Sequence, residues 1–288
     1  MLEGRLQLTD GRSISYSECG RPAASAVMYC HGFPGNRREL ELIERTLDRC
    51  GVDARLIALN RPGYGSSTFQ PHRTILDWPA DVSEAADQLG IDRFAVLGVS
   101  GGGPYALACG YGLPDRVTSI GIVAGIAPIE APGMDQASSI SGPSPHLAIR
   151  RLQFALAAFA FRKGQGSRFV DQSVATMGPA DQAALAQIDI RSWFTDTLCE
   201  SFEQGGRAAA HEASLYRREW GFNPGRITVK TRLWYGEADR TVPASAGRWL
   251  ADRIQGADFS YWPDQGHFTW MLTDHGAEVI NSTVGALR

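Results

Sequence analysis

The chain is poor in the features that mark disulfide scaffolds, membrane proteins and nucleic-acid binders. Its five cysteines (Cys19, Cys30, Cys50, Cys109, Cys199) are odd in number, scattered and without a C-x-x-C pair. That argues against a disulfide framework or a zinc site and for reduced, mostly buried thiols. Long apolar runs are missing. The two most apolar stretches, Ile120–Ile129 and Ala155–Phe161, fall well short of the roughly 20 residues a bilayer span requires. Met1-Leu2-Glu3-Gly4-Arg5 has neither the basic nor the apolar region of a secretion signal, so a cytoplasmic location is expected. Neither sign of charge is in surplus: 28 Lys and Arg face 31 Asp and Glu, leaving −3. That points to no nucleic acid and no anionic lipid as partner. The rest, 43% hydrophobic with 32 Gly and 15 Pro among 288 residues, is ordinary globular composition and excludes a disordered, collagen-like or coiled-coil chain.

What is present is a rhythm. Arg5–Thr9 and Ser13–Tyr16 alternate in polarity around Asp10-Gly11, residues favoured in a two-residue hairpin turn. Short apolar runs follow at Ala26–Cys30, Arg55–Leu59, Phe94–Val99 and Val117–Ala124, separated by helical patterns at Glu39–Cys50, Asp77–Leu89 and Gly102–Gly112. Continuous apolar strands alternating with helices predict a parallel sheet covered on both faces. The alternation stops near Pro128. Residues 129–225 show no strand pattern, only turns and helical stretches at His146–Lys163, Asp181–Ile190 and Trp193–Trp220. Strands resume between Ile227 and Tyr235 and at Asp258–Trp262, with helices at Ala244–Ile254 and at the end. The reading is one α/β core, 1–127 and 226–288, interrupted by a helical insertion at 128–225, too long for an ordinary loop.

In an open α/β sheet the ligand site lies beyond the carboxyl ends of the strands. Gly98-Val99-Ser100-Gly101-Gly102 is a G-x-S-x-G directly after a strand and before a helix, the setting of a nucleophile elbow. The serine occupies a strained turn, and glycines two before and two after remove side chains that would collide with the sheet or the helix. His31-Gly32-Phe33-Pro34-Gly35 ends an earlier strand. An acyl-transfer serine needs donors at the developing oxyanion; the N–H groups of Gly101 and Phe33 qualify, and Pro34 has none to give. His31 reads as a structural brace. Late strands end in Gly236-Glu237-Ala238-Asp239 and in Asp264-Gln265-Gly266-His267. Ser100, Asp239 and His267 fall in the Ser…Asp…His order of this type of sheet, with His267 as base and Asp239 as the acid that orients it. Glu237 and Glu130 are rivals for the acid and His275 for the base. His72, His146 and His211 read as surface or packing residues and Asp264 as a turn residue.

These residues resemble the α/β-hydrolase family in its branch with a helical cap. The resemblance rests on His31–Gly35, Arg61-Pro62-Gly63-Tyr64-Gly65-Ser66-Ser67, the Ser100 elbow, Gly236–Asp239 with Val242-Pro243, and Gly266-His267-Phe268. It implies an α/β-hydrolase fold with an eight-stranded, mostly parallel sheet, helices on both faces, a Ser–Asp–His triad, no cofactor and a cap at about 128–225. The chain departs from the pattern at three places. Asn60 stands where many relatives have Asp, Gly101 follows the nucleophile in place of a larger residue, and Lys230-Thr231 replaces a Pro entering the acid-bearing strand.

The expected function is therefore a serine hydrolase acting, without metal, on a small-molecule substrate, a small to medium, largely apolar carboxylic ester. Of the insertion's aromatics, Phe154, Phe159 and Trp193 are the candidates for lining its pocket. The same triad admits C–C bond hydrolysis of a β-diketone-type substrate, lactone opening, amide or N-terminal proline cleavage, or perhydrolysis. Arg150, Arg151 and Arg162 are possible anchors for a substrate carboxylate. Two readings of other classes compete. Gly101-Gly102-Gly103-Pro104-Tyr105-Ala106 matches a dinucleotide fingerprint but leaves Asp239 and His267 unexplained. A ligand-binding receptor on a hydrolase fold would keep the triad without turnover.

Overall fold

The computed structural model describes residues 1–135 and 147–285. Its strands are β1 (Leu2–Gln7), β2 (Ser13–Gly20), β3 (Ala26–Cys30), β4 (Arg55–Leu59), β5 (Phe94–Val99), β6 (Val117–Val123), β7 (Thr231–Gly236) and β8 (Asp258–Trp262). They form one eight-stranded sheet in the order β1-β2-β4-β3-β5-β6-β7-β8. β1 and β2 are antiparallel and β2 meets β4 antiparallel; every pairing from β4 to β8 is parallel. The β1–β2 turn is longer than the sequence suggests. Leu8 and Arg12 are still bonded (2.7 Å) and Gly11 N–H closes on Leu8 O (3.0 Å). Gly11 alone takes a positive φ, 86°, which gives a three-residue loop where Asp10-Gly11 had suggested two.

The central strands are buried on both sides, and successive residues feed two separate cores. Met28, Ile57, Phe94 and Val96 pack on one face with α2 (Trp78–Gln88), α3 (Gly103–Gly112) and the late helix Ala244–Ala251. Val27, Tyr29, Leu56 and Leu97 pack on the other with α1 (Leu40–Cys50) and the final helix His275–Val284. This two-sided burial is why these strands carry unbroken apolar runs. β7 begins at Thr231, later than Ile227, because Ile227 N–H is still bonded to Pro224 O (3.1 Å) in a short 3₁₀ turn.

Between β6 and β7 the described residues form helices only: α4 (Leu147–Arg162), α5 (Gly166–Ala175), α6 (Pro179–Leu185), α7 (Ile188–Ser201) and α8 (Arg207–Leu215). The stretches read as Asp181–Ile190 and Trp193–Trp220 are broken, at Ala186-Gln187 and across Phe202–Gly206, and α5 had no clear sequence signal. Phe161, Val170, Leu185, Trp193 and Phe202 make an apolar cluster of their own. Phe33 and Phe268, from loops at the carboxyl ends of β3 and β8, pack against it. The insertion thus sits over the strand ends where the candidate residues lie.

Candidate active site

Ser100 follows β5 directly and is buried, 4% exposed. Its φ is +51°, a left-handed conformation that costs a non-glycine residue about 1–2 kcal/mol. A Cβ at Gly98 would lie 2.7 Å from both Ala106 Cβ and Gly102 O, and one at Gly102 would run into Cys30 O. The two glycines therefore let strand and helix close around the serine. The residue also opens the turn leading into α3, where first-turn N–H groups lack intrahelical partners and favour negative charge. Gly101 has an equally local cause. A Cβ there would collide with Phe33 Cβ and approach the Tyr216 hydroxyl to 2.7 Å. The same position is 3.2 Å from Phe33 N, so the two candidate oxyanion donors belong to residues packed directly against each other.

The loop carrying Phe33 is held from beneath by buried polar groups. Arg61 donates to His31 O (2.5 Å) and Gly32 O (2.8 Å) and is paired with Glu212 (2.6 Å), both side chains fully buried. Arg73 Nη2 lies 3.5 Å from the same carboxylate. Burial works against the Glu212 charge, but the two guanidiniums outweigh it and keep the carboxyl below its usual range. The Tyr216 hydroxyl lies 2.6 Å from Glu212 Oε1 and 2.9 Å from Gly101 O. His31 is a brace, as its position suggested. Its Nε2 faces Arg61 N–H (3.2 Å), which can only donate, so the proton sits on Nδ1 and is given to Gly32 O (2.9 Å). Burial, with Arg61 adding, drives its pKa well below the ordinary value.

A carboxylate lies under the same loop. Glu39 accepts Gly32 N–H (2.9 and 3.0 Å) and Tyr29 O–H (2.7 Å), and it lines the cavity together with Ser100. Burial pushes its pKa up to about 7, against the pull of Gly32, Tyr29 and Arg61.

His267 Nδ1 lies 2.7 Å from Asp239 Oδ2. Asp239 Oδ1 accepts the N–H groups of Thr241 (2.7 Å) and Val242 (3.0 Å), so this acid is fixed by its own loop. The pairing puts the imidazole proton on Nδ1 and leaves Nε2 as the basic atom. Burial alone would lower the His267 pKa; the charge and hydrogen bond of Asp239 outweigh it, with Asp181 and Glu39 adding, and the net shift is upward. His267 and Ser100 line one cavity. Among the described residues no hydrogen bond joins the Ser100 hydroxyl to the His267 ring; in unliganded sites such contacts are often long and tighten around substrate.

The rivals lie elsewhere. Glu237 and Glu130 are exposed. His275 pairs with Glu278 (3.0 Å) and stacks on Trp262. His72 and Asp264 are exposed turn residues with positive φ, and His211 faces Arg73 O at 2.9 Å. His146 lies outside the described residues. The cavity measures about 730 Å³ and reaches from Gly32, Ser100 and His267 into α4, α5 and α7. Phe154 and Trp193 line it. Phe159 does not: it is 55% exposed, on the outer side of α4 with Lys163 Nζ over its ring. Among the described residues no cluster of three or more His, Cys, Asp or Glu is placed to hold a metal ion, and no helix is long and apolar enough to cross a membrane.

With this geometry in view, a family-wide sequence pattern described as the alpha/beta hydrolase family matches residues 27–282. The chain belongs to the alpha/beta hydrolase family. As a member it is an enzyme of the hydrolase class. A 2-hydroxy-6-oxononadienedioate/2-hydroxy-6-oxononatrienedioate hydrolase of Klebsiella pneumoniae is 27% identical over 94% of this chain and 89% of its own. A proline iminopeptidase of Xanthomonas citri is 32% identical over 37% of this hydrolase, a match spanning only 34% of the iminopeptidase. In fold, an esterase from Rhodococcus sp. ECU1013 superposes with a TM-score of 0.72 over 100% of this chain and 99% of that one, at 20% identity.

Several residues of this alpha/beta hydrolase's site had no sequence signal. In the sequence Glu39, Asp181 and Glu212 are single acids within helical patterns, where a charge is ordinarily a solvated face. Only the fold shows all three buried against the site loops. Asn60 is explained by a neighbour just as distant in sequence. Its Nδ2 donates to Glu200 (3.1 Å) while Oδ1 accepts Arg37 N–H (2.7 Å), a pairing that an aspartate could not make.

Proposed function

We propose that this protein is a serine hydrolase that cleaves a small to medium, largely apolar carboxylic ester through an acyl-enzyme on Ser100. The observation that carries the reading is the His267–Asp239 pair at 2.7 Å, opening on the same cavity as a serine held at positive φ. Ser100 Oγ attacks the ester carbonyl carbon and His267 Nε2 takes its proton. The carbonyl oxygen becomes an oxyanion facing the N–H groups of Phe33 and Gly101. Collapse expels the alcohol, which takes the proton from His267. Water then attacks the acyl group with His267 again as base, releasing the acid and restoring Ser100. The inserted helices act as a cap over this cavity. Their apolar contribution, including Phe154, Phe169, Trp193, Phe194 and Leu198, supports an apolar acyl or alcohol group.

A second reading has one observation in its favour. The Klebsiella relative, aligned over 94% of this chain, has an oxo-dioate in its name, and Arg150 lines the cavity here. Hydrolysis of a keto acid on the same triad would use that cation for the carboxylate.

The first test is covalent. An activated phosphonate should label the folded protein at Ser100, found by peptide mass spectrometry, and should fail on Ser100→Ala. Equal labelling of both, or none of either, would overturn the acyl-enzyme reading. A panel of apolar p-nitrophenyl esters set against keto-acid substrates then separates the two substrate classes by kcat/KM.

A further inference from the structure

We propose that Asp181, a carboxylate on inserted helix α6, is a positioning residue for His267: it holds the backbone of the base-bearing loop, so the imidazole is placed from the insertion as well as by Asp239. Oδ2 accepts the N–H of His267 itself (2.8 Å) and Oδ1 the N–H of Phe268 (2.7 Å). Two consecutive amides thus converge on one carboxylate whose residue has no exposed surface. Such charge-assisted bonds are roughly twice as strong as neutral ones, and here they stand in for the water a buried carboxylate has lost. The approach leaves no slack, since a Cβ on Gly266 would run into the Asp181 carboxyl oxygens. Across 86 residues of sequence, the insertion grips the loop at the base itself.

The contact also has an electrostatic side. The titratable groups that act most strongly on His267 are Asp239, Asp181 and Glu39, all of which favour the protonated ring. When the Ser100 proton arrives on Nε2, the imidazolium forms with two aspartates beside it, one oriented toward Nδ1 and one bound to its backbone. Asp181 therefore sets both the ring's position and part of the pH at which it becomes a base.

This inference rests on the serine-hydrolase reading, and its test separates the two. The rate of Ser100 labelling by the phosphonate is measured against pH for the wild type, Asp181→Asn, Asp181→Ala and Gly266→Ala, each checked for folding by circular dichroism and thermal melting. Asp181→Ala should label about 10- to 100-fold more slowly, because two buried amides of the base-bearing loop lose their acceptor. Asp181→Asn keeps the shape and one acceptor, so it should recover part of that loss. It should also move the acid limb of the profile to lower pH, a change that loss of packing alone would not make. Gly266→Ala, which pushes on the same contact but keeps the charge, should slow labelling and leave the limb in place. Folded Asp181→Asn and Asp181→Ala that both label within twofold of the wild type, with unmoved limbs, would overturn the assignment of Asp181 alone. A wild type that is not labelled at all would overturn the hydrolase reading beneath it.

Discussion

Two histidines close two strands of the same sheet, both buried, and their surroundings drive them in opposite directions. His31, after β3, has a guanidinium for a neighbour and a backbone N–H pressed against Nε2, so its ring stays neutral with both nitrogens engaged. His267, after β8, has carboxylates around it and its Nε2 turned to no described protein partner. Burial alone is common to both and makes neither a base. The difference lies in whether the nearest full charge is a cation or an anion, and in whether one ring nitrogen is left without a protein partner. A raised His267 pKa also has a definite kinetic sign. In the proposed mechanism the neutral ring is the base, so log kcat/KM should rise with pH through a midpoint above the ordinary imidazole value of 6.5.

The contrast can be broken at its strongest point. Asp239→Asn should lower kcat about 10⁴-fold, because the amide no longer dictates a proton on Nδ1 and the ring loses its anion; steady-state hydrolysis of a p-nitrophenyl ester reads this, and a loss below tenfold would contradict it. On the His31 side the expected effect is on stability. Arg61→Met leaves Glu212 buried with the Tyr216 hydroxyl and, of its two cations, only the more distant Arg73 (3.5 Å), at a cost of about 3–5 kcal/mol. A urea midpoint unchanged from the wild type would show that the cation is not needed there. The smallest effect concerns Glu39, whose carboxyl titrates near 7 in the folded state against an ordinary 4.5. A raised acid pKa contributes stability that is complete below about pH 4.5 and is lost as pH rises through 7. Glu39→Gln lacks this titration, so its melting temperature should gain on the wild type between pH 5 and pH 8. A gap that does not change with pH would contradict the shift.

The parts that sequence exposed and those it hid divide along a physical line. Strands buried on two faces must be apolar throughout, so Ala26–Cys30, Arg55–Leu59 and Phe94–Val99 announced themselves, and the resemblance of their terminal loops to a known family supplied the strand count. The pairing of Asp239 with His267 was legible because chain order on such a sheet is constrained. The supporting carboxylates were not. Glu39, Asp181 and Glu212 work by meeting backbone amides and guanidiniums far away in sequence, and their own neighbours give no sign of it. Phe159 shows the complementary error. An aromatic within an apolar helix looks like pocket lining, yet the helical period turned it outward while Phe154 faces the cavity.

The missing side chain at position 101 narrows where this protein can be altered. Because Phe33 and Tyr216 already occupy the space a Cβ would need, any enlargement there has to displace Phe33, whose N–H is one of the two donors proposed for the oxyanion. Changes meant to redirect substrate choice are better made at the far wall, at Phe154, Phe169 or Met177, where a new contour reshapes what enters and leaves the reaction centre intact.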